Sequence, residues 1–195
     1  MANPAVRMSG IEKVYPDGVK ALDSVDFEVL EGEIHGLLGE NGAGKTTLMR
    51  ILYGEIKPTR GKIVIFGEKT SFHGPWDAIR KGIGMVYQHF ALVPTFTVAE
   101  NLHLSYLSIN HHASMSESLD KAQQIIDETG LKFPLDAIVE DLPVGLQQRV
   151  EIVKARSRNA RILILDEPTS VLTPVEVEEL FKALIKLKDN GITII

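Results

Sequence analysis

Short apolar runs punctuated by glycine and proline fill the first third of the chain, and a helical periodicity takes over in its middle. Val25–Leu30, Ile34–Leu38 and Ile63–Phe66 read as β-strands, interrupted at Glu31-Gly32, Lys57-Pro58 and Arg60-Gly61. Gly82–Gln88 reads as a buried strand. From Val98 to about Arg158 the spacing predicts helix. There Ser114 and Glu117 form a capping box, and Leu119, Ala122, Ile125 and Ile126 follow a stripe that stops at Gly130. Strand character returns at Arg161–Leu165. Thr173 as N-cap, Pro174 at the first helical position and Glu176 at the third open another helix. Its stripe of Val177, Leu180, Phe181, Leu184 and Leu187 closes at Asn190-Gly191. Gly191–Ile195 begins a further buried strand. Alternating strands and helices predict an α/β fold with a partly parallel sheet. Residues 1–195 form one domain, with 1–97 and 159–195 as the core and about 98–158 inserted as a helical subdomain. Chain termini normally lie at the surface, so an end inside an apolar strand predicts a C-terminally truncated piece of a longer protein.

Composition narrows the classes. The chain has 195 residues, 44% apolar and 24% charged, with a net charge of −5. These values fit a globular chain able to bury a core and exclude a disordered or low-complexity scaffold. Without cysteine there are no disulfides or thiolate metal sites. Ile162–Leu165, among the longest apolar runs, is far short of the ~20 residues of a membrane helix. The opening Met-Ala-Asn-Pro-Ala-Val-Arg lacks the apolar stretch of a secretory signal. A pI near 5.7 leaves no basic footprint for nucleic acid. The six histidines read as surface residues, and His111-His112 lies in a polar loop without ligands at metal spacing.

Gly39-Glu40-Asn41-Gly42-Ala43-Gly44-Lys45-Thr46 fits G-x-x-x-x-G-K-S/T at every fixed position, between a predicted strand and the helix Thr47–Tyr53, which closes at Gly54. Glycines let backbone N–H groups converge on a phosphate, and the following helix points its positive end at the same anion. Lys45 should reach the β- and γ-phosphates and Thr46 should coordinate Mg²⁺. The apolar run Ile162–Leu165 leads into Asp166-Glu167 at the carboxyl edge of the sheet, where ligands bind. Asp166 suits a Mg²⁺ ligand and Glu167 a general base for an attacking water. These motifs predict a protein that binds a nucleoside triphosphate.

With those motifs in place, the order and spacing of the rest resembles the ATP-binding subunit of an ABC transporter. The resemblance implies a P-loop NTPase core with a mixed sheet, an N-terminal antiparallel β subdomain and a helical insertion. Tyr15 looks like the aromatic that stacks on adenine, while Thr47 completes the nucleotide-binding loop. Gln88 resembles the Q-loop glutamine that meets Mg²⁺ and relays to the membrane partner. Leu142, Pro143, Val144, Gly145, Leu146 and Gln147 occupy the place of the signature usually written L-S-G-G-Q. Their helix start would face the γ-phosphate of a second subunit's ATP. Ser170–Thr173 sits at the D-loop position. Two departures stand out: Pro143 replaces the signature serine, and Thr173 the D-loop aspartate. The family's switch histidine would follow Ile195.

The stretch Gly84–Leu102 and the signature surroundings look like simple-sugar and nucleoside importers, leaning to nucleosides. In that subgroup two ATPase halves are usually fused. The implied function is the motor of an importer, using ATP and Mg²⁺ and working peripherally on the cytoplasmic membrane face. Its implied partners are a second ATP-binding domain, a transmembrane permease and, indirectly, an extracytoplasmic solute-binding protein, with no nucleic acid. A soluble ABC-type ATPase and a non-hydrolysing nucleotide-binding module stay open as alternatives. By itself the segment is expected to bind ATP and to hydrolyse it very slowly.

Overall fold

A computed structural model describes residues 3–195; Met1 and Ala2, part of the opening segment read above for a leader, lie outside the described residues. Two antiparallel strands of eleven residues come first, β1 (Pro4–Val14) and β2 (Lys20–Leu30). The apolar pattern predicts only the second half of β2 and gives no sign of β1. Register shifts between Pro4 and Val6 and between Met8 and Ile11 break the two-residue alternation on which strand patterns rest. β3 (Arg60–Ile65) pairs with the other edge of β1, and β4 (Glu68–Thr70) folds back on β3, giving the order β2-β1-β3-β4.

A second sheet is parallel, with the order β5 (Ile83–Val86), β6 (Ile162–Leu165) and β7 (Thr193–Ile194). β6 is apolar at every position because both of its faces are covered. Ile162 and Ile164 enter one cluster with Met8 and Ile11 of β1 and with Leu48, Ile51 and Leu52 of helix α1 (Lys45–Leu52). Helix α2 (Pro75–Arg80) adds Ala78 and Ile79 to that cluster. Leu163 faces a second cluster, built by α3 (Val98–Leu107), α4 (Met115–Thr129), α5 (Val144–Ser157) and α6 (Pro174–Asp189). Gly84 lets α5 seat on β5, since a Cβ there would lie 3.0 Å from the Cβ of Ala160 and 3.2 Å from that of Ala155. The far end of α5 therefore packs on the sheet, while its start lies against α6, where Gly145 meets Glu176.

Three expectations are corrected. The strand predicted over Ile34–Leu38 reduces to one parallel bridge between Ile34 and Ile194, with His35 N donating to Ile194 O at 2.8 Å. Gly36 interrupts the run, glycine being a poor strand residue, and Leu38 is 93% exposed. Phe181, placed on the buried stripe of α6, is 47% exposed because it borders the apolar cleft beside Leu37 and Leu38. Nor are all six histidines surface residues. His35 is half-buried edge-on against Phe27, and His103 is half-buried with Nδ1 2.8 Å from Ser118 Oγ.

The capping boxes expected at Ser114/Glu117 and Thr173/Glu176 both form, and Thr97/Glu100 makes a third at α3. In each, the backbone N–H of the cap residue donates to the glutamate, followed by its hydroxyl. Glu100, Glu117 and Glu176 are thereby held below the ordinary carboxylate range. A carboxylate depressed in the folded chain stabilises it above the unfolded pKa, and that contribution is lost as pH falls through the folded value. The melting temperature should accordingly drop on acidification below about pH 4.3, the ordinary glutamate value. Glu117→Gln keeps the box but removes the titration, so its curve of melting temperature against pH should be flatter than wild type. Thr173→Ala should cost about 1 kcal/mol at neutral pH. Circular dichroism melts across pH 3–7 would check both.

Candidate nucleotide site

The phosphate loop leaves the Ile34 bridge and is forced into shape by β2. Gly42 and Gly44 have φ of +82° and +87°, the left-handed region that favours glycine. A Cβ on Gly44 would lie 2.6 Å from the carbonyl oxygen of Ala21 and 2.7 Å from Leu22 Cδ2, so no other residue fits there. Helix α1 starts immediately after, and its first intrahelical bond runs from Leu48 N to Gly44 O at 2.9 Å. The amides of Lys45, Thr46 and Thr47 are left without intrahelical partners at the positive end of the helix. They border an open cavity of about 220 Å³ walled by Ala21, residues 41–47 and Glu167. Lys45 Nζ folds back over the loop and donates to the carbonyls of Gly39 (2.7 Å) and Glu40 (2.9 Å). Both acceptors are neutral, and an anionic phosphate oxygen is the stronger acceptor for an ammonium.

Strand β6 delivers the acids. The amide of Asp166 extends the ladder to Val86 O at 3.0 Å, and the Thr46 hydroxyl donates to Asp166 Oδ1 at 3.4 Å. Glu167 adopts φ +49°, a strained conformation for a residue with a side chain. Its carbonyl accepts from Ser170 N at 3.2 Å and from Ser170 Oγ at 3.0 Å. Gln88, just past β5, donates from Nε2 to Glu167 Oε2 at 3.3 Å. Tyr15 is half-buried with its hydroxyl 3.5 Å from Thr47 Oγ1, and Lys13 Nζ stands 5.2 Å from its ring centre.

Thr46 and Asp166 place one hydroxyl and one carboxylate together. Among the described residues no group of three or more His, Cys, Asp or Glu is arranged to hold a metal. That donor set suits Mg²⁺, which takes few protein ligands and fills its octahedron with waters and phosphate oxygens. The left-handed glycine cradle, the unpaired amides and the lysine likewise fit a triphosphate.

Residues 142–147 stand apart from this cavity. Pro143 is the N-cap of α5 and gives its first turn no side-chain bond. Gln147 Nε2 donates to Leu142 O at 2.9 Å, and Leu146 packs at the edge of the second core. Gly145 lies against the α6 capping box: a Cβ on it would fall 2.2 Å from Glu176 Oε1. The expected residues thus divide in two. Tyr15, residues 39–47, Gln88, Asp166 and Glu167 gather at the carboxyl edge of the sheet, and 142–147 present a separate helix start.

Three further polar residues lie on α5 outside the motif positions. Gln148, Glu151 and Lys154 are all buried, at three-residue spacing among Val150, Ile152 and Val153. Burial holds Lys154 below the ordinary lysine range, and Glu151 beside it counters that shift. Polar residues recurring inside an apolar helix were the available signal.

The ABC transporter family model matches residues 22–170. The ribose import ATP-binding protein RbsA 3 of Rubrobacter xylanophilus is 46% identical over 193 residues, covering 96% of this chain and 38% of that protein. The guanosine import ATP-binding protein NupO of Bacillus subtilis is 46% identical over 191 residues, covering 97% of this chain and 37% of that protein. The chain thus spans less than half the length of these relatives. A solved dimeric ATP-binding cassette, MJ0796 in a post-hydrolysis state bound to ADP and Pi, aligns with a TM-score of 0.85 at 30% identity. That match covers 97% of this chain and 85% of the solved one.

The close approach of β2 to Gly44 gives a sharp expectation. Gly44→Ala adds a methyl against backbone and imposes a positive φ, a strain of about 1–3 kcal/mol before the clash is counted. Gly32, also at positive φ, has nothing within 4 Å of its Cβ position, so Gly32→Ala carries only the φ strain. Urea denaturation should show Gly44→Ala as clearly the less stable of the two.

Proposed function

We propose a function from one premise: the chain belongs to the ABC transporter family. It is an ATP-binding cassette that binds and hydrolyses Mg-ATP and acts as a motor of an importer for nucleosides or simple sugars. The observation that carries this reading is one cavity lined by the phosphate loop and Glu167, with Asp166 bonded to Thr46 and Gln88 to Glu167 at its edge. The relatives named for ribose and guanosine import support the solute class. No helix of the described residues is long and apolar enough to cross a membrane. In this reading the cassette works peripherally on the cytoplasmic face, attached through a permease that a solute-binding protein supplies. Residues 1–97 and 159–195 form the catalytic core, and about 98–158 form the helical subdomain that meets the permease.

Binding begins with the loop. The amides of α1 and the Gly-rich turn receive the β-phosphate, and Lys45 exchanges the carbonyls of Gly39 and Glu40 for β- and γ-phosphate oxygens. Thr46 and Asp166 would hold Mg²⁺, which would neutralise charge on the phosphates. Tyr15 offers its ring to adenine. Glu167 orients the attacking water and takes its proton as general base. Gln88 bonds that carboxylate at rest, so movement of the Gln88 segment changes what Glu167 can accept. Residues 142–147 serve the ATP of a second cassette, with the N-terminal amides of α5 as donors. With Pro143 in place of serine, this segment offers the second cassette's ATP no side-chain hydroxyl, and hydrolysis at this chain's own site is slow while no partner signature faces it.

Lys45→Ala should leave a folded chain whose affinity for Mg-ATP falls about 10- to 100-fold, the loss of a charge-assisted bond worth about 1.5–3 kcal/mol. Unchanged binding by calorimetry would remove Lys45 from the site. Glu167→Gln should keep binding while single-turnover hydrolysis falls about 10²- to 10⁴-fold; hydrolysis indifferent to that change would overturn the assignment of the base. Tyr15→Ala should weaken binding by about 1–3 kcal/mol if the ring stacks on the base.

A further inference from the structure

We infer that helix α5 positions both partners of the Gln88–Glu167 contact through two buried side chains, Gln148 and Lys154. The inference rests on the function proposed above. Gln148 is 3% exposed, and its Nε2 donates to the carbonyl of Pro168 at 2.5 Å. Pro168 has no amide to donate, and it follows Glu167 in its left-handed conformation. The 167–170 turn is therefore held through its carbonyls, by Ser170 from within and by Gln148 from α5. Lys154 does the same for the other partner. Its Nζ donates to the carbonyl of Ala91 at 2.7 Å, three residues past Gln88, and to Glu151 Oε1 at 2.6 Å. Asn101 of α3 braces the same loop, accepting from Val93 N at 2.8 Å and donating to Val93 O at 3.1 Å.

A buried ion pair is a poor source of stability, because an apolar pair of equal volume usually does as well or better. What the polar pair adds is direction: Lys154 must meet one particular carbonyl. Gln148 and Lys154 are six residues apart, about 9 Å along one rigid helix. A tilt of α5 then displaces Pro168 and Ala91 together, and with them Glu167 and Gln88. The N-terminus of that helix is the segment 142–147 assigned to a second cassette's ATP. Engagement of one nucleotide is thereby conveyed to the base that acts on the other. Gln148 and Lys154 are positioning residues that act through Glu167 and Gln88.

The chain has no cysteine, which permits clean spin labelling. Labels at His89→Cys and Thr169→Cys, both exposed, report the distance between the two loops. The unaltered background should give one narrow distance distribution. Gln148→Met and Lys154→Met should each broaden it, and Lys154→Arg should keep it narrow. In unlabelled chains the two Met variants should lose about 10- to 100-fold in single-turnover ATP hydrolysis with ATP affinity unchanged, the scale expected of a 1 Å misplacement. Gln148→Leu removes the donor with a smaller apolar side chain, and it must also broaden the distribution if Gln148→Met does not fold. Distances unchanged in these variants overturn the inference, whatever happens to turnover, and so does a loss of affinity in parallel with rate. If the wild-type chain binds no Mg-ATP, the proposed function fails while the distance measurement still decides the role of α5.

Discussion

A strand buried on both faces has only its ends available for chemistry, and β6 imposes that constraint on the whole molecule. Ile162 and Ile164 belong to one core and Leu163 to the other, so the strand can neither slip by a residue nor turn over without exposing one set. Its carboxyl end is therefore a fixed point, and Asp166 and Glu167 emerge there. Each neighbour of β6 adds a component at the same edge. β5 leads into Gln88 on one side; β7 pairs on the other and bridges to Ile34, from which the phosphate loop departs. The nucleotide cavity is the place where a parallel sheet ends its strands, which is where α/β proteins put their ligands.

Polar groups around this edge are held mainly by backbone carbonyls. Lys45 rests on Gly39 and Glu40, Gln148 on Pro168, Lys154 on Ala91, and Ser170 on Glu167. Such bonds fix loops that have no ladder of their own. They also exchange readily where a stronger acceptor arrives, and Lys45 is the group that a phosphate would draw away. The loops beside the cavity are thus ordered at rest by bonds that differ in permanence. Those from α5 come from buried side chains, and the two that Lys45 makes on the phosphate loop are exposed.

The signature-like segment shows how local chemistry and packing part company. Pro143 gives the start of α5 no hydroxyl, yet the helix forms, because its stability comes from buried Val150, Ile152 and Val153 rather than from its cap. Gly145 is needed for a packing reason as well, since Glu176 of the α6 capping box occupies the space a side chain would take. One glutamate thus caps the start of the helix that follows the acidic pair and buttresses the start of α5.

Local patterns alone determined the elements whose signals are short-range. The phosphate loop, the acidic pair after an apolar run and the capping boxes at Ser114 and Thr173 each lie within a few residues, where backbone conformation follows side-chain identity directly. That is why α1, α4, α6, the parallel strands β5 and β6 and the residues around the cavity are legible in the sequence, whereas the short helix α2 is not. Tertiary structure decided what depends on a distant neighbour. β1 was hidden because its bulges erase the alternation, and the Ile34–Leu38 run, interrupted by Gly36, meets β7 at a single bridge. Phe181 sits on the right stripe for burial and remains half-exposed beside the apolar cleft. The spacing of Gln148 and Lys154 marks them in the sequence but not their partners: a buried polar side chain acquires its meaning from the carbonyl it meets, and Pro168 and Ala91 lie 20 and 63 residues away.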